Sequence, residues 1–200
     1  MDQTLSKEIV DRFMSFKGEV RGVSLKNYAE FILKREGEEG LKKVEEELAE
    51  IGYPIKYSEL STMSFYPIGF QAITIAAMRK VLNYDDKTFY ELGGFQPKIS
   101  FIIRLFMRYF VSLDVVAKKV PDIWRKSYSV GNLEVVELNK EKKYMTLRLK
   151  DFPCNPLQCQ QTLRGYFPSI LQMITKSETT CEEIKCPFKG DEYHEYLMKW

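Results

Sequence analysis

Long hydrophobic runs are missing from this sequence. The longest, Ile68 to Met78, is interrupted by Gly69, Gln71 and Thr74 and is too short to span a bilayer. Charge of one sign is scarce as well: 30 Lys and Arg stand against 28 Asp and Glu, a formal +2. The basic residues are interspersed with acidic ones, so no nucleic-acid or membrane partner is expected. The beginning, Met1-Asp-Gln-Thr-Leu-Ser-Lys-Glu, is polar and does not read as a signal peptide. A cytoplasmic location with reduced cysteines is therefore expected. Gly93-Gly94 and Gly37…Gly40 do not fit a dinucleotide-binding loop, which would follow a strand and open a helix. Neither a DNA-binding helix-turn-helix, an ATPase motif, an internal repeat nor a low-complexity linker is visible.

Apolar material is ample: 44% of the chain is hydrophobic, with 13 Phe and 12 Tyr, enough for one core. Leu5, Ile9, Val10, Phe13 and Phe16 recur at helical spacing. Gly18 and Gly22 break that pattern, Ser24 reads as the cap of a second helix, and Gly37 ends it. Leu41, Val44, Leu48 and Ile51 form a thin stripe on a third helix, suited either to its own domain or to a dimer contact. Pro67 opens an apolar helix over 68–82. Asp85 or Asp86 caps a short segment that Gly93-Gly94 should end. Another apolar helix is expected from Pro97 to Pro121. From Gly131 the pattern alternates, predicting a hairpin turning at Asn139 to Lys143. A helix over 157–174, with Pro168 inside, and strands over 175–183 and 193–199 complete the chain.

All four cysteines fall late: Cys154, Cys159, Cys181 and Cys186, in two C-x-x-x-x-C pairs, followed by the single histidine, His194. Soft thiolates suit tetrahedral zinc. Glu178 lies three residues before Cys181, so a mixed set with His194 is equally consistent. Buried thiols and disulfides are the competing readings. A nucleophilic cysteine with His194 as base would need an orienting third group and an oxyanion site, and nothing marks either.

Cys159, then Gly165-Tyr166, Glu178-Thr-Thr-Cys181 and Gly190-Asp191-Glu-Tyr-His194 resemble the tail of the vinyl-4-reductase-type domain, over about residues 131–200. That family belongs to a superfamily that includes haem nitric-oxide-binding domains and the transport-particle subunits of Golgi trafficking. The resemblance implies zinc held by Cys159, Glu178, Cys181 and His194, with Cys154 and Cys186 as alternative ligands. It also implies a homodimer. The haem-binding branch supplies an axial histidine from an upstream helix. This chain has no histidine before His194, so no haem is expected.

The expected fold is α+β: a twisted antiparallel sheet with helices packed on one side, preceded by a helical N-terminal section. Residues 1–52 would form that section and the dimer contact, and 53–200 the ligand-binding domain. The expected function is non-catalytic: a small-molecule-binding sensory or regulatory domain with a structural zinc, acting on a protein effector. Phe106, Tyr109, Phe110, Trp124 and Tyr128 would line a pocket for an apolar or aromatic ligand between the 99–120 helix and the sheet. A tetrapyrrole vinyl reductase and a scaffold subunit are the rival readings.

Overall fold

The computed structural model describes residues 5–99 and 112–200. The fold is α+β. A first helix, α1 (Lys7–Met14), is capped by Ser6, whose hydroxyl accepts from the Ile9 N–H. It buries Val10 and Phe13. A short strand, β1 (Glu19–Arg21), pairs antiparallel with β2 (Phe65–Pro67). This ladder launches α2 (Gly22–Glu50), because the Gly22 N–H donates to the Ser64 carbonyl and Val23 to Thr62. Ser24 is therefore not the cap expected of it but a buried residue inside the helix. At Gly37 the backbone takes a φ of 72°, which side-chain-bearing residues rarely adopt, and α2 turns there. The Val44 and Leu48 stripe beyond the turn is buried within its own chain.

The remaining helices are α3 (Gly69–Leu82), α4 (Asp86–Ile99), α5 (Leu113–Ser127) and α6 (Leu163–Thr175). A single π turn, Gln158–Thr162, leads into α6. The four-stranded antiparallel sheet contains β3 (Asn132–Asn139), β4 (Tyr144–Lys150), β5 (Thr180–Lys185) and β6 (His194–Lys199), in the order β3-β4-β6-β5. Met145, Leu147 and Leu149 of β4 lie opposite Met198, Tyr196 and His194 of β6. Side chains alternate across a strand, so these six share one face, and all six are buried. No helix among the described residues is long and apolar enough to cross a membrane.

Two boundaries differ from the sequence reading. Asp85 does cap α4, accepting from the Thr88 N–H at 2.8 Å. The helix, however, runs on through Gly93-Gly94 and Pro97 to Ile99. The cause is tertiary: α4 and α6 cross with their backbones in contact. A Cβ at Gly93 would overlap the Thr162 carbonyl, and one at Gly165 would overlap the Tyr90 carbonyl. The glycines are there for close approach rather than to stop a helix. Pro121 likewise lies inside α5 and does not end it. The buried Val116 and Trp124, one on each side of it, hold the helix against the lost hydrogen bond.

The two neighbouring glycines predict opposite outcomes. Gly93→Ala drives a methyl into backbone and should cost on the order of 3 kcal/mol, the upper end of overpacking penalties. Gly94 has only ordinary contact, 3.7 Å to the Gly165 carbonyl. Gly94→Ala should therefore be neutral or stabilise by up to about 1 kcal/mol through helix propensity. Urea unfolding of the two variants checks both.

Candidate functional site: an apolar cavity and a cysteine–histidine cluster

A cavity of ≈ 340 Å³ lies between the helices and the inner face of the sheet. That is within the range of small-molecule pockets. Its apolar wall combines Val116, Val120 and Trp124 of α5 with Leu133 of β3, Met145 and Leu147 of β4, and Met198 of β6. Trp124 and Tyr128 stack at 4.3 Å, and Phe152 meets both rings edge-on. The Trp124 indole N–H donates to the Val130 carbonyl at 3.0 Å, which fixes the ring. Trp124 and Tyr128 thus line the cavity, whereas Phe106, Tyr109 and Phe110 lie outside the described residues.

The polar part of the lining was missed from sequence. The Gln158 amide donates to Gln71 Oε1 at 2.7 Å, and the Gln71 amide donates to the Tyr128 hydroxyl at 3.2 Å. Tyr28, beside Gln71, is fully buried, and Gln158 and Thr162 are 1% and 2% exposed. All of them line the cavity. Yet Gln158 Oε1 and Thr162 Oγ1 have no hydrogen-bond partner among the described residues, and the Tyr28 hydroxyl, which the Gln71 amide approaches, has none of good bonding geometry. Burial, with the Tyr128 phenol adding to it and Gln71 opposing, pushes the Tyr28 phenol far above its ordinary range, so it keeps its proton. A glutamine inside an apolar helical pattern is the one sequence signal for such a polar patch, and Gln71 and Gln158 both carry it.

The second constellation surrounds His194, which is 3% exposed. Its Nδ1 lies 2.7 Å from Glu183 Oε1 and its Nε2 3.6 Å from Cys154 Sγ. Cys154 and Cys159 are joined by a disulfide. The ligand atoms of Cys154, Cys159 and His194 lie within 4.8 Å of one another, as do those of Glu183, Cys186 and His194. Of the zinc set expected from sequence, Cys159 and His194 come together. Glu178 is exposed and joins neither group, and Cys181, buried in β5, also joins neither. The alternatives Cys154 and Cys186 both reach His194. Glu183 was overlooked, because strand alternation with a bulge between Glu183 and Lys185 cannot be read from the sequence.

Neither a protein-family model nor a curated protein matches this sequence. Solved structures do. An H-NOX protein from Shewanella oneidensis in the Fe(II)NO ligation state superposes with a TM-score of 0.66 at 12% identity, over 90% of this chain and 98% of that one. The unliganded Fe(II) H-NOX protein from K. algicida gives 0.62 at 10% identity, over 90% and 95%. A structure solved in work on haem redox potential and porphyrin distortion gives 0.53 at 13% identity, over 90% and 99%. At these identities the likeness establishes the fold.

These matches correct two expectations. The resemblance to the vinyl-4-reductase-type domain is overturned: the solved neighbours are H-NOX domains, and of its implied zinc set Cys159 and His194 come together while Glu178 and Cys181 do not join them. Gly165 belongs to a helix crossing instead. The expectation of no haem is overturned as well: the matched structures are H-NOX proteins in Fe(II) states, although no histidine precedes His194 in this chain. His194 does not line the cavity. Among the described lining, the Met145 and Met198 thioethers can ligate iron as they stand; the Tyr28, Tyr128 and Tyr166 phenols and the Lys126 amine line the cavity too but would first have to lose a proton, and burial holds the phenols protonated. In character, the apolar wall with stacked aromatics suits a flat macrocycle.

Burial lifts the Cys181 thiol to about 12, with Arg164 opposing and Glu183 and Glu182 adding. The thiolate is the nucleophile, so native Cys181 should resist iodoacetamide at pH 8 and react only as the pH climbs. In the unfolded chain this thiol ionises near its ordinary value of 9.0. The neutral folded form therefore loses stability as pH rises from about 9 towards 12, and not below. Tm measured against pH should show this decline, and Cys181→Val should lessen it.

Proposed function

We propose that the protein is a non-catalytic sensory or regulatory domain whose small-molecule ligand occupies the cavity between α3, α5, α6 and the sheet. The observation that carries this reading is a cavity with a largely apolar wall, lined in addition by three residues whose buried polar atoms have no partner. A filled, structural core would have closed that space or satisfied those atoms. The H-NOX likeness supports it and makes haem the first ligand to try. Bound haem would supply an iron centre for diatomic ligands, and Met145 or Met198 would hold it. The Trp124–Tyr128 stack would pack on the macrocycle, and the apolar wall would exclude water.

Native mass spectrometry with haem, protoporphyrin IX and smaller aromatics tests this reading. One ligand per chain is expected, together with quenching of Trp124 fluorescence. At a ligand concentration of 100 Kd, binding stabilises by about 2.7 kcal/mol. That corresponds to a rise in Tm of roughly 5–10 °C for a chain of this size. The absence of any bound mass and of any Tm shift across the panel would refute it.

The proposal keeps a zinc site, on a changed set. With the Cys154–Cys159 bond reduced, two thiolates and His194 Nε2 would face one point while Glu183 holds Nδ1. A carboxylate on the second ring nitrogen is the usual support of a zinc-bound histidine. Reduced protein should take up one zinc per chain, the oxidised form none, and His194→Ala should lose it, as read by competition with a colorimetric chelator. A homodimer through the N-terminal section 1–52 is part of the same reading. Leu33 is exposed there, and light scattering of Leu33→Glu against the parent checks it.

A further inference from the structure

We infer that one end of the cavity is a subsite for a neutral group that both donates and accepts a hydrogen bond: a hydroxyl, a protonated carboxyl or a primary amide. The inference rests on the cavity being the ligand site and adds the chemistry of the ligand's polar end.

Each of the three unpartnered atoms imposes a condition. Gln158 gives one amide N–H to Gln71, and its Oε1, which only accepts, has no partner. A ligand must therefore donate to it. Tyr28 keeps its proton because burial disfavours the phenolate, so its hydroxyl is available to donate. The Thr162 hydroxyl can do either. Gln158 and Thr162 are four residues apart on the π turn and its exit, and both line the same cavity as Tyr28. Gln71 sits beside Tyr28 and bonds Gln158, which brings the phenol and the amide to one end. An acceptor-only group, such as an ether or a ketone, would leave Gln158 Oε1 bare. A carboxylate would face it with like partial charge. An apolar end would leave all three unsatisfied, each at a desolvation cost. Ser24, Asn27, Gln96, Lys126 and Ser127 also reach the lining, but the wall formed by α5 and the sheet is apolar, so the group is carried on a largely apolar body.

The test compares two probes of equal size, 1-octanol and heptyl methyl ether, by calorimetry on the full chain. The alcohol should bind about tenfold more tightly, the return for satisfying the buried Gln158 acceptor that the ether leaves bare. Tyr28→Phe and Thr162→Val remove hydroxyls from which either probe can accept, so each should weaken both probes about equally and leave the preference in place, whereas Gln158→Met should reduce the preference to within about threefold. The Tyr28 and Thr162 variants each remove a hydroxyl that has no well-formed hydrogen bond, so in the absence of ligand their Tm should hold or rise. Equal affinity for the two probes, with a lower Tm in these two variants, would overturn the inference, because buried water would then be satisfying these atoms. Binding of neither probe would bring down the cavity as a ligand site, and with it the function proposed above.

Discussion

The buried relay from Gln158 through Gln71 to Tyr128 is the interaction on which the arrangement of the molecule turns. Each link joins separate elements: the π turn before α6, the first turn of α3, and the residue that follows α5. The hydrogen bonds form out of water, where a missing partner costs more than a made bond gains. The relay therefore fixes where these elements stand, and the cavity is the space they enclose beside it. Asn155 adds to the tie, its amide donating to the Ala72 carbonyl at 3.3 Å. The Tyr196 hydroxyl completes it by donating to the Cys159 carbonyl from the sheet side.

This relay also joins the two chemically distinct regions. Residues 154–162 run from the disulfide at Cys154 and Cys159 to the cavity residues Gln158 and Thr162. His194 and Tyr196 on β6 flank the same segment, one towards the thiols and the other towards the backbone of the turn. The cluster and the cavity are two faces of one short piece of chain. The π turn matters here. The extra residue per turn rotates the side chains that follow, placing Gln158 and Thr162 on the cavity while Cys159 stays with its disulfide partner.

Much of the fold was legible in the sequence. The hairpin at Gly131, the break at Gly37, the last two strands and the helix over 157–174 follow from alternation, helical spacing and glycine, all local signals. What failed was where distant segments overrule local ones. Gly93-Gly94 reads as a stop and is a contact with a helix some seventy residues away. Ser24 reads as a cap, but the β1–β2 ladder starts the helix earlier. The site was half legible. Cysteine spacing and the single histidine marked the right region, yet Glu183 in place of Glu178 depends on a strand bulge that leaves no mark on composition. The family resemblance rested on residues in sequence order, and of its ligand set the fold gathers Cys159 and His194 and leaves Glu178 and Cys181 outside that cluster.

The glycine crossing of α4 and α6 has a mechanical consequence. Where two helices meet through side chains, rotamer changes absorb small displacements. At Gly93 and Gly165 peptide lies against peptide, with nothing soft in between. A shift along either helix axis is passed to the other undiminished, so the pair travels as one rod. Thr162, whose carbonyl sits in that joint, takes one wall of the cavity with it.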